Sequence, residues 1–133
     1  MASISPGSNV IYPELSYVLT GICFTAHDEV GLYGKEKHYC DVVARELKLK
    51  KIFFEREVIV GDTGNRVDFI ADGKILLECK SKRMLTKEDY VQTQRYLQIT
   101  GLKLGLLVNF RAKYVKPERI VRIDTDRAQK YTV

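Results

Sequence analysis

Residues 66–80, RVDFIADGKILLECK, decide the fold. Two runs rich in β-branched and large apolar residues, RVDFIA and KILLECK, flank Asp72-Gly73, a pair that favours the tight turn of a β-hairpin. Three ionisable residues stand inside these runs where a plain core strand would not want them: Asp68, Glu78 and Lys80. Side chains alternate along a strand, so Glu78 and Lys80 share one face and Leu77 and Cys79 take the other. The turn decides where Asp68 falls. A two-residue loop at Asp72-Gly73 pairs Asp68 with Leu77 and turns it away. A three-residue loop, Ala71-Asp72-Gly73, pairs it with Leu76 and sets it diagonal to Glu78, roughly 7–8 Å away between backbones. We expect the longer loop, with Gly73 in the left-handed position. Buried charges are normally paired or bind a metal, so this register asks for a cation between two carboxylates.

Upstream, Leu15, Val18, Leu19, Ile22, Cys23 and Ala26 form one face of a helix that opens at Pro13. Gly21 inside it points to a close contact. Gly31-Leu-Tyr-Gly34 breaks the pattern, and a second helix over about 35–49 carries Tyr39, Cys40, Val43 and Leu47 on one stripe. Glu36 lies three, four, seven and eleven residues before these, so the same stripe draws it inward at the helix's first turn, where a carboxylate suits the dipole. Residues 52–60, IFFEREVIV, read as a strand, and GDTGN at 61–65 as a turn.

Downstream, Thr86 starts a third helix with Glu88 and Asp89 in its first turn, and Gly101 caps its end. Gln92 aligns with Leu85, Tyr96 and Ile99 and tends inward. LGLLVNF at 104–110 reads as a strand buried on both faces, and RIVRI at 119–123 as a short edge strand. The order α-α-β-β-β-α-β-(β) describes one α/β domain over 10–123, with a disordered leader at 1–9 and a tail at 124–133.

Length and composition agree with that. The chain has 133 residues, 45% apolar and 29% charged. No apolar run reaches the ~18 residues of a membrane span, and the N-terminus lacks the marks of a secretory signal. Three cysteines without a CxxC pair argue against a disulfide framework or a cysteine metal cage and suit reduced thiols in a cytoplasm. Cys23 and Cys40, on apolar stripes, read as core packing. The net charge of +5 falls entirely in residues 101–133, a basic flank that suits a polyanion.

The chemistry that uses these residues together is metal-assisted phosphodiester cleavage. Mg²⁺ prefers hard oxygen ligands and commonly takes one or two carboxylates. Asp68 and Glu78 would supply them, with the backbone carbonyl of Cys79 or Leu77 alongside. The ion acidifies a bound water and offsets phosphate charge. Lys80 would orient the attacking water or stabilise the pentacovalent state. Glu36 would hold a second ion or position water, and Gln92 would bond water or phosphate. His27 and His38 take no part. Lys82 and Arg83 leave the site directly, and with Lys103, Arg111, Lys113 and Lys116 could hold phosphates.

Asp68-x9-Glu78-Cys79-Lys80 resembles the signature of the PD-(D/E)XK nucleases. Over about residues 14–110 the chain resembles more closely the small bacterial GxxExxY proteins of that superfamily. The likeness takes in the Gly-rich turn with Glu36 and Tyr39, RVDFIADGKILLECKS, and YVQTQRYLQITGLKLGLLVNF. The glycine of GxxExxY is replaced by Tyr33, with glycines at 31 and 34 instead, and Val67 stands where the signature has proline. The resemblance implies a restriction-endonuclease-like core, with a mixed sheet of about four strands flanked by helices. It implies Glu36, Asp68, Glu78 and Lys80 as the catalytic set with Gln92 as the helix glutamine, and cleavage of DNA with Mg²⁺ or Mn²⁺; the pathway, repair, defence or other, stays open. Two other readings stay open: a module on the same fold that binds nucleic acid or protein without cutting, and an interaction protein whose tyrosines and apolar helices form a homodimer face. A homodimer would suit the nuclease as well, because two sites can address two strands.

Overall fold

The computed structural model describes residues 10–124. The leader at 1–9 and all of the tail but Asp124 lie outside them. Helix α1 spans Pro13–Val30 and α2 Glu36–Leu49. Strands β1 (Phe54–Val60), β2 (Asn65–Ala71) and β3 (Ile75–Lys80) follow, then α3 (Lys87–Thr100), β4 (Leu104–Asn109) and β5 (Glu118–Val121). The element order is the one read from the sequence. The strands form one five-stranded sheet in chain order, antiparallel except for β3 and β4, which run parallel through the α3 crossover.

The helices cover both faces. The apolar stripes of α1 and α2 pack with Phe69, Leu77, Cys79, Leu106 and Val108 on one side, and Tyr96 and Leu97 of α3 pack with Val60, Val67 and Leu76 on the other. That sandwich explains why every residue of β4 is buried, as the unbroken apolar run of a doubly covered strand requires. Helix α3 comes so close to β4 that a Cβ on Gly105 would meet Thr93 Cγ2 at 3.1 Å. Among the described residues no helix is long and apolar enough to cross a membrane.

Several local expectations are corrected. The strand expected from residue 52 begins at Phe54, because Lys51 turns left-handed (φ 59°) and the Ile52 N–H closes the end of α2 on the Leu47 carbonyl at 3.0 Å. The edge strand lies at 118–121 rather than 119–123. Gly21 marks no close contact, since a Cβ there would meet open space. The β2–β3 loop does have three residues, but they are Asp72, Gly73 and Lys74, and Ala71 pairs with Ile75. Asp72 (φ 53°) and Gly73 (φ 62°) are both left-handed, and the Lys74 N–H closes the turn on the Ala71 carbonyl at 2.9 Å. The register is therefore two residues from the one expected. The ladder stops at Phe69↔Leu77, so Asp68 and Glu78 follow its last pair and are not the diagonal neighbours expected.

Candidate active site

Asp68 is skipped by both ladders of β2. Pairing with β1 passes from Arg56↔Phe69 to Val58↔Val67, and pairing with β3 ends at Phe69↔Leu77. Opposite Asp68, Glu57 adopts a left-handed backbone (φ 55°), which costs a non-glycine residue roughly 1 kcal/mol. Simple alternation fails here. Val67 packs on the α3 side and Phe69 on the α1–α2 side, although they are two residues apart. The sheet thus opens between β2 and β3, and side chains fill the gap. The Asp68 N–H donates to Glu78 Oε1 at 2.9 Å, and the Cys79 N–H donates to Asp68 Oδ2 at 2.7 Å. Each carboxylate satisfies a backbone donor of the opposite strand that the ladder no longer serves.

Burial sets the electrostatics. Glu78 is 4% exposed. Its carboxyl is pushed up to about 8, first by loss of water and then by the charge of Asp68. The Asp68 carboxyl is also raised, by burial first and then by the charge of Glu36, while the Cys79 N–H, Lys80 and Arg56 pull it back. Two acids in one largely buried gap, the charge of Asp68 raising Glu78, are an arrangement that a divalent cation would relieve. The donors are hard oxygens, which suit Mg²⁺ or a similar divalent ion. Asp68 also lies within 4.8 Å of the Cys40 and Cys79 thiols. These pack against the core and are the wrong ligands for a hard cation.

The remaining predicted residues divide. Lys80 Nζ donates to Gln92 Oε1 at 3.2 Å, so α3 does bring its glutamine to the site. Glu36 is not on the buried stripe. It is the first residue of α2 and exposed, yet near enough for its charge to raise both Asp68 and Glu78. Its place is fixed by Tyr39, whose hydroxyl donates to the Gly31 carbonyl and accepts the Gly34 N–H at 3.2 Å, and whose ring stacks on Phe110 at 4.5 Å. Gly34 is required there: a Cβ would sit 2.2 Å from Val30 Cγ1. Glycine at 34, not at 33, makes the tight approach. Ser81 ties this turn to the end of β3 by donating to the Gly34 carbonyl at 3.0 Å.

Of the basic residues, Lys82 is already paired with Asp89 at 2.9 Å. Arg83, Arg111 and Lys113 are exposed, and each lies within four residues of the site ends of β3 or β4. Lys103 precedes β4, at the end of the sheet opposite Asn109, roughly 17–20 Å off by strand rise. The structure does not bring it to the site. His27 and His38 are engaged in other bonds. His27 bonds the Ala112 carbonyl at 2.8 Å, and His38 accepts the Lys35 N–H at 3.3 Å.

Sequence reading missed Asn109. It is buried level with Lys80, donates to the Lys82 carbonyl at 2.8 Å and accepts the Lys82 N–H at 3.1 Å, holding the chain that leaves β3. The signal was an asparagine ending an otherwise apolar strand.

The chain belongs to the PD-(D/E)XK nuclease superfamily, whose family profile matches residues 13–123. Members of that superfamily are nucleases that use divalent metal ions, and this chain carries the mixed α/β fold that goes with them. A solved structure described as that of SSO0001 is similar at 21% identity, covering 98% of this chain and 77% of the other, with a TM-score of 0.47. No curated protein matches the chain.

Proposed function

We propose that this protein is a Mg²⁺- or Mn²⁺-dependent deoxyribonuclease of the GxxExxY kind, a single cytoplasmic domain over 10–123. The observation that carries this reading is the reciprocal pair Asp68–Glu78, a half-buried and a buried carboxylate that each bond a backbone N–H of the other strand where the ladder stops. Asp68 and Glu78, with the Cys79 carbonyl, would hold the ion, which supplies an acidified water and charge neutralisation when bound. Lys80 orients the attacking water and faces the charge that develops on the phosphate, and Gln92 fixes the Lys80 ammonium. Glu36, at the solvent rim, positions water or a second ion. Arg83, Arg111 and Lys113 hold flanking phosphates. A homodimer would set two such sites on two strands.

The test is cleavage of labelled linear, nicked, branched and single-stranded DNA across Mg²⁺ and Mn²⁺ titrations, with wild type and Glu78→Ala. Metal-dependent products from wild type alone support the reading. Metal binding lost in Glu78→Ala, with no product on any DNA, moves the function to a binding module. No metal binding at all removes the basis of both.

A further inference from the structure

At Glu36, whose charge reaches both Asp68 and Glu78, lies a cavity of about 460 Å³ whose lining includes Tyr33, Lys35, Ser81 and Arg111 as well. Tyr33 presents its ring to water at 84% exposure, and the Arg111 guanidinium lies 5.8 Å from the ring centre. An exposed tyrosine alone is unremarkable. This one sits on a turn fastened on both sides, where Gly31 and Gly34 both bond the buried Tyr39 hydroxyl and Ser81 bonds Gly34. The ring is therefore presented from a fixed backbone, at the edge of a cavity it shares with Glu36.

We propose that Tyr33 and Arg111 form a stacking platform for an unpaired nucleobase, so that the site favours DNA with a single-stranded segment. The inference rests on the nuclease reading above and deepens it by naming the substrate class. A flat aromatic face backed by a cation is the chemistry that holds single strands with little sequence preference. A paired base keeps both faces in its own stack and gains nothing from it. Lys113 over the 80% exposed ring of Tyr114, at 5.4 Å, repeats the pairing two residues after Arg111.

The chain has no tryptophan, so Tyr33→Trp installs a single fluorescent reporter at the platform. Binding would be measured with Ca²⁺ in place of Mg²⁺, using a single-stranded oligonucleotide, a blunt duplex and an abasic strand that keeps phosphates but lacks bases. The expected result is quenching of the Tyr33→Trp signal by the single strand only. Tyr33→Ala should weaken single-strand binding roughly tenfold, with Tyr33→Phe near wild type and duplex and abasic affinities unchanged. Equal loss on all three ligands, or no loss on the single strand, overturns the platform while cleavage by wild type leaves the nuclease standing. Absence of binding and cleavage with every DNA overturns both.

Discussion

Burial favours the protonated form of Glu78, whereas the metal-holding role proposed for it needs the carboxylate. Folded, its carboxyl is raised from an ordinary 4.5 to about 8 by burial and by Asp68. A raised folded value means that the group's contribution to stability is complete below about pH 4.5 and is lost as pH rises through about 8. The metal-free protein should therefore melt at progressively lower temperature across that window. Glu78→Gln, which cannot ionise, should flatten the curve and be the more stable form above about pH 8, by on the order of several kcal/mol at most. Thermal melts in chelator from mildly acidic to alkaline pH check this, and a wild-type curve as flat as the variant's contradicts it. The same proton must leave when a divalent ion binds, so affinity should rise with pH and calorimetry in two buffers should show proton release. Lys80 belongs to the same balance, since its charge lowers both carboxyls. Lys80→Met should cut turnover about 10²–10³-fold and move the pH–rate profile upward. A loss of rate with the profile unmoved would leave Lys80 only its role toward the phosphate.

At the scale of elements, the site is a meeting of strand ends. β3 brings Glu78 and Lys80, the kink in β2 aims Asp68, α3 delivers Gln92 and the start of α2 holds Glu36 at the rim. Asn109 keeps the chain that leaves β3 in place with two bonds to Lys82. Asn109→Leu keeps the branched shape, in a somewhat larger side chain, but leaves the Lys82 N–H and carbonyl without their Asn109 partner, which should cost about 1–3 kcal/mol and lower cleavage because Lys80 sits two residues away. Denaturant midpoints together with rates test it; full activity at unchanged stability would refute the clamp. Much of this layout was legible in the sequence, because periodicity marks helix stripes and buried strands directly. The order of all eight elements and the capping of α3 followed from it, while Gln92 is half-buried against Lys80 and Ile99, placed on the same stripe, is exposed. What escaped is what departs from periodicity. The turn took Lys74 rather than Ala71, through two left-handed residues. Strand alternation broke at Asp68, where Glu57 is left-handed. Glu36 was drawn inward by its spacing, but as the first residue of α2 it lies outside the packed turns and remains in water.

For the molecule as a whole, charge is a matter of position rather than sum. The +5 lies in the last third of the chain, but the fold divides the described part of that third, residues 101–124, between two ends of the sheet. Arg111 and Lys113 follow β4 at its site end, whereas Lys103 precedes it at the other. Arg83 leaves β3 on the site side, and Lys82 beside it is spent on Asp89. Sequence position alone had grouped all of these as one phosphate path, because a linear chain hides which end of a strand a residue occupies. The fold separates them, and DNA binding measured against salt can read the difference. Each phosphate contact neutralised contributes about 0.9 to the slope of log K on log salt for duplex DNA. The double variant Arg83→Gln, Lys113→Gln should lower the slope by nearly 2 on that scale and weaken binding about equally for all sequences. Lys103→Gln should leave slope and affinity unchanged. If Lys103→Gln flattens the slope as much as the double variant does, the DNA path crosses the far end of the sheet, and the phosphates are not gathered around Asp68 and Glu78.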